Sequence, residues 1–126
     1  MDLNPAIRVV LLPKDTNKYG TIFGGIILSY IDLAGTVEAS KVTSQRLVTI
    51  AMKEVVFKAP VHVEDVVSFY TSLIKIGRTS ITVHVDVEVL RDDGGQGQEV
   101  QVTEADVTYV CINDNGKPTP VIRRKT

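Results

Sequence analysis

From about Phe23 to Ser40 the chain carries a helical pattern that is apolar around more than half of its circumference. At about 100° per residue, Ile26, Ile27, Tyr30, Ile31, Leu33, Ala34 and Val37 fill that arc. Gly25, Ser29, Asp32 and Thr36 make up the narrow stripe left over. A surface helix is polar over far more of its girth, so this one needs cover on nearly every side, and a sheet curved around it supplies that cover. Thr21 is the expected N-cap. Asp32 is then a lone carboxylate in apolar surroundings. Burying it unpaired costs several kcal/mol or more, or moves its pKa. Either the hydroxyls of Ser29 and Thr36 satisfy it, or it has a chemical task.

The rest of the pattern is strand. Ala6 to Leu12 reads as a short first strand closed by Pro13, and Lys14 to Gly20 as a polar turn. Leu47 to Lys58 is a long β-branched run ended by Ala59-Pro60, and Val66 to Ile76 a second run broken at Gly77. Ile81, Val83, Val85, Val87 and Val89 alternate with Thr82, His84, Asp86 and Glu88, the period of an antiparallel strand with one buried face. Asp92 to Gln98 is the expected hairpin loop. Val100 to Asn113 is the last strand, and its apolar parity changes from Val100 and Val102 to Ala105, Val107 and Tyr109. That change predicts a bulge near Glu104. Asp114-Asn115-Gly116 turns the chain into a basic tail. The expected class is α+β, a curved antiparallel sheet around one helix, with a single domain over 1–126, a core at about 6–113 and a basic tail at 117–126. Open β-branched edges favour pairing of two copies through a continuous sheet.

Charge and composition exclude several classes. Fourteen basic against fifteen acidic residues give no excess for a nucleic-acid surface. The single cysteine, Cys111, permits no intramolecular disulfide. The N-terminus has no signal-peptide pattern, and no apolar stretch reaches the ~20 residues of a membrane span. A cytoplasmic location is the expectation.

Several motifs occur in order: Asn17-x-x-Gly20-x-Ile22-Phe23-Gly24-Gly25, Ile31-Asp32-x-Ala34-Gly35, Val56-Phe57-x-x-Pro60, Val63-x-Asp65-Val66 and Gly77-Arg78-Thr79-Ser80. Together they resemble the hotdog-fold acyl-CoA thioesterases, in particular the short, single-domain bacterial hydrolases of the YciA type, which are related to the tandem-domain cytosolic hydrolases of animals. The likeness runs from about Pro13 to Asp114. It implies a dimer, often assembled into a trimer of dimers, with active sites between subunits where Asn17 of one faces Asp32 of the other. It also implies acyl-CoA substrates, release of CoA and a fatty acid, and no metal or redox cofactor.

The residue chemistry fits that implication. Gly24 and Gly25 begin the expected helix, where N–H groups lack intrahelical partners and no Cβ obstructs a thioester. The helix dipole adds positive charge there, so the pair is a candidate oxyanion hole. Asp32 is the candidate general base or nucleophile. Asn17 is a candidate for positioning water or the carbonyl. Ser29 and Thr36 are candidates for supporting Asp32. For CoA, Gly77-Arg78-Thr79-Ser80 offers backbone and hydroxyl donors beside a guanidinium, and Phe57, Lys58 and Lys75 are further candidates. Arg123 to Lys125 adds weaker phosphate candidates. His62, His84 and Cys111 lack sequence neighbours that would make a metal site, a triad or an activated thiol. A non-catalytic acyl-CoA-binding or sensing module on the same fold is the alternative. A hydratase is disfavoured because no His lies near Asp32.

Overall fold

A computed structural model of the protein describes residues 4–91 and 97–125. A short strand β1 (Ile7–Val10) leads through a single 3-10 turn (Pro13–Asp15) to helix α1 (Gly24–Ala39). Strands β2 (Arg46–Phe57), β3 (Val66–Ile76), β4 (Ser80–Arg91) and β5 (Gln98–Ile112) follow. They form one antiparallel sheet in the order β1-β3-β4-β5-β2. Of the loop expected at Asp92–Gln98, 92–96 lie outside the described residues.

The alternating strand sits as its pattern requires. Ile81, Val83, Val85, Val87 and Val89 of β4 are fully buried, and the residues between them are partly exposed. Against this face α1 packs Ile27, Ile31, Ala34, Gly35 and Ala39, over β3, β4 and β5. The parity change on β5 is a bulge. Val87 pairs with Thr103 and Glu88 with Gln101, so Val102 is extra, two positions before Glu104. Val102 and Thr103 are both buried as a result.

Three expectations need correction. The N-cap of α1 is Phe23, without a side-chain cap, because Thr21 is drawn into a bridge with His62 and its hydroxyl accepts from Asn17. The helix is covered on one side only within the chain: Leu33 is 56% and Val37 43% exposed. Asp32 flanks that open side and is half-buried, so the energetic anomaly read from the helix pattern does not arise in a single subunit.

The basic tail runs back over the sheet end and the helix C-terminus. Val121 N–H donates to the Arg78 carbonyl, Ile122 N–H to Gln45 Oε1, and Arg124 Nε to the Ser40 carbonyl at 2.7 Å. A cation at a helix C-terminus is favourable there. In the Val63-x-Asp65-Val66 motif, Asp65 is buried structural glue. It accepts from His62 N–H at 2.8 Å and from the Arg91 guanidinium at 3.2 Å. Among the described residues, no helix is long and apolar enough to cross a membrane.

Candidate active site

The sheet register sorts the candidate residues into two groups. In one row across the sheet, Thr49 pairs with Tyr109, and Tyr109 with Ile81. Asp32 stands over this row: Thr49 donates its hydroxyl to Asp32 Oδ1 at 2.7 Å, and Tyr109 donates to the Asp32 carbonyl at 2.7 Å. The Gly77–Ser80 hairpin closes the same end, with Gly77 N–H on the Ser80 carbonyl at 2.8 Å. Arg78 and Lys75 are exposed there.

A second row joins Phe57 to Thr103 and Thr103 to Val87. Gly24 lies against this row, where a Cβ on it would meet the Phe57 ring at 3.5 Å. The Asn17 loop belongs here too, since Ile22 N–H donates to the Val61 carbonyl at 2.8 Å and Thr21 bridges to His62. Ile81 and Val87 mark the two rows on β4, and at ~3.3 Å per residue the rows are about 20 Å apart. On the helix, the rise from Gly25 to Asp32 is about 10 Å. Asp32, Thr49 and the hairpin share one end of the subunit, and Asn17, Gly24, Gly25, Phe57 and Lys58 share the other.

Local bonding refines each role. Asn17 Oδ1 accepts from Tyr19 N–H at 2.8 Å and its Nδ2 donates to Thr21 Oγ1 at 2.9 Å, so the side chain is held in an Asx-type turn. Thr36 donates to the Asp32 backbone carbonyl and Ser29 to that of Gly25, the usual back-bond of helical hydroxyls. Neither reaches the carboxylate. The group that does, Thr49, was invisible in sequence because it lies on the edge strand. The Lys58 ammonium is held by Gln101 at 2.7 Å and Glu104 at 3.0 Å. Packing against the rest of the fold does not demand the glycine pair: a Cβ on Gly24 has ordinary contacts, and one on Gly25 would overlap the ring of Phe23, which is exposed and free to swing aside. Gly35 differs, because a Cβ there would overlap the Tyr109 hydroxyl. Burial pushes the Tyr109 phenol well above its usual pKa, so it stays a donor.

Next to Gly24 lies a cavity of about 330 Å³ lined by Ile22, Ile27, Phe57, Ala59, Val61 and Thr103, among others. Burial likewise raises the Cys111 thiol, which lies fully inside the core. His84 does have partners, contrary to the sequence reading, because the β4–β5 register sets Asp106 opposite it. Its Nδ1 lies 2.6 Å from Asp106 and its Nε2 3.3 Å from Asp86. His84, Asp86 and Glu104 form the one group among the described residues whose ligand atoms converge enough for a metal ion. An ion there would have to displace Lys58 from Glu104 and take one ring nitrogen of His84 away from its carboxylate partner.

Residues 19–98 match the thioesterase superfamily. The chain belongs to that family. Its fold is that of a hexameric hotdog-fold thioesterase of Campylobacter jejuni, with a TM-score of 0.89 and 45% identity over 94% of this chain and 90% of that one. The hexameric thioesterase of Yersinia pestis aligns with a TM-score of 0.86 and 36% identity over 97% and 98% of the two chains. The Acyl-CoA thioester hydrolase YciA of Salmonella typhimurium is 37% identical over 116 residues, 91% of this chain and 87% of that protein. The α+β sheet-and-helix architecture of this thioesterase is therefore the hotdog fold.

Proposed function

We propose that this thioesterase hydrolyses acyl-CoA at sites built between two subunits. The observation that carries this reading is the separation of the two residue groups. A thioester carbonyl held at the glycine pair must have its catalytic carboxylate within one water's reach, about 6 Å at most, and the helix rise to Asp32 in the same subunit is larger. A two-fold axis relating antiparallel helices brings the glycine end of one subunit to the Asp32 end of its partner. The exposed Leu33 and Val37 on α1, and Val48 and Ile50 on the edge strand β2, are the apolar surface such pairing would bury. The relatives described above as hexamers fit an assembly of such dimers.

In this site the Gly24 and Gly25 N–H groups, uncapped by any side chain, hold the carbonyl oxygen as it becomes an oxyanion. Asn17 of the same subunit borders the carbonyl. Asp32 of the other subunit uses the carboxylate oxygen that Thr49 leaves open. It takes a proton from water, whose oxygen bonds to the carbonyl carbon. The C–S bond then breaks, and the proton passes to the departing thiolate, giving CoA and a carboxylic acid. Direct attack by Asp32 expels the thiolate and leaves an aspartyl–acyl anhydride. Where water then opens that anhydride at the aspartyl carbon, a single turnover in ¹⁸O-water leaves label in the enzyme carboxylate, which the general-base route never does. CoA leads toward the hairpin beside Asp32, where Arg78, Thr79, Ser80 and Lys75 meet its phosphates and amides. Phe57 walls the acyl side, and the Lys58 stem borders it.

A thiol-release assay over a panel of acyl-CoAs tests the reading. Release of free CoA with each acyl group that binds is expected. Tight binding of acyl-CoA with no thiol release would favour the sensing module instead.

A further inference from the structure

The bulge at Val102 turns Thr103 inward, and its hydroxyl ends in an unusual position. Thr103 is 1% exposed, and its Oγ1 is a buried side-chain polar atom with no hydrogen-bond partner among the described residues. A buried hydroxyl left unpaired is destabilising, whereas an apolar side chain of the same shape would carry no such cost. Valine is that shape, and the neighbouring core positions are full of it. Thr103 is one of the residues lining the cavity beside Gly24, whose other walls include Ile22, Ile27, Phe57, Ala59 and Val61, and its hydroxyl lies buried just behind that wall. Among the described residues lining the cavity the one charged side chain is Lys58, and its ammonium is turned to Gln101 and Glu104.

Resting on the hydrolase reading above, we propose that this cavity receives the acyl group and that Thr103 Oγ1 selects acyl chains carrying an oxygen substituent, a hydroxyl or a keto group. The direction follows from the two ends of the subunit. CoA leads from the glycine pair toward the partner's hairpin, so the acyl chain leads the other way, into the cavity next to Gly24. The chemistry follows from the lining. Apolar walls suit methylenes, and a single hydroxyl suits a single oxygen function. The pantetheine arm, with two amides and a hydroxyl, would need more polar partners than this wall offers. A site built around one buried hydrogen-bonding group discriminates against the analogue lacking its partner, because that group is then left orphaned.

The test compares kcat/KM for matched pairs of acyl-CoAs, such as 3-hydroxybutyryl-CoA and butyryl-CoA with longer homologues, in wild type, Thr103→Val and Thr103→Ser. Wild type is expected to favour the oxygenated member of at least one pair. Thr103→Val should shift that ratio about five- to tenfold toward the plain chain, and its Tm should not fall. Thr103→Ser, which keeps the hydroxyl, should hold the wild-type ratio. If the valine variant does not fold, Thr103→Ala, which also removes the hydroxyl, takes its place, and an unchanged ratio there would overturn the selection. Hydrolysis by all three proteins with equal ratios would overturn the selection by Thr103 alone. Absence of thiol release from every acyl-CoA by wild type would overturn the hydrolase reading and this inference together.

Discussion

The Thr49 hydroxyl donates to Asp32 Oδ1 at 2.7 Å from an exposed edge strand. One carboxylate oxygen is thereby fixed in direction. In the mechanism proposed above, this bond orients Asp32 as the base rather than adding to the stability of an exposed strand. Thr49→Val should lower kcat by about tenfold with little change in KM and an unchanged Tm. Steady-state thiol release together with a melting curve checks this, and a rise in KM at constant kcat would point to substrate binding instead.

Gly24 has room for a Cβ, which would rest at 3.5 Å from the Phe57 ring. Gly24→Ala should therefore fold with near wild-type stability and yet lose about 10²-fold in kcat, because the methyl group stands where the carbonyl must approach the N–H. Thermal melting and turnover measured on one preparation separate the two effects. A loss of stability that parallels the loss of turnover would assign the glycine to packing.

Gly35 and Tyr109 form a size-matched pair. The Tyr109 hydroxyl fills the space a Cβ on Gly35 would take, and it donates to the Asp32 carbonyl. Gly35→Ala should cost about 1–3 kcal/mol by overpacking, and Tyr109→Phe about 1 kcal/mol. The double variant should be more stable than the sum of the two losses predicts, since removing the hydroxyl makes room for the methyl. Denaturant unfolding of the four proteins gives the coupling, and strict additivity would contradict the contact.

His84 links folding to pH. Burial pulls its pKa down, but the Asp106 hydrogen bond and the Asp86 carboxylate outweigh burial, and the net shift is upward from 6.5. A raised folded-state pKa stabilises the fold below the unfolded value, and that contribution is lost as pH climbs through the folded value. The Tm difference between wild type and His84→Gln should therefore be larger near about pH 5.5 than near about pH 9. A difference that grows with pH would reverse the sign and refute the assignment.

Local pattern made much of this architecture legible. β3 begins and ends where its β-branched run does, because Asp65 and Gly77 punctuate it, and the β5 bulge followed from the parity of Val102 against Ala105. What stayed hidden depends on pairing between distant segments. Thr49 reaches Asp32 from a strand whose own sequence shows only a β-branched run, and His84 meets Asp106 only through the β4–β5 register. The N-cap moved from Thr21 to Phe23 for the same reason, since Thr21 is bridged to His62 forty-one residues on. The motif order identified the candidate residues. Their division between two ends of the fold comes from the rise along α1 and the register of the sheet, and in the proposed function they are halves of different sites.

Subunit complementation tests that division most directly. Asn17→Ala and Asp32→Ala should each be nearly inactive alone. If each site draws Asn17 and Asp32 from different subunits, co-refolding equal amounts of the two variants creates mixed dimers with one intact site. Random pairing then restores about a quarter of wild-type turnover. A co-refolded mixture no more active than either parent would contradict a site shared between subunits.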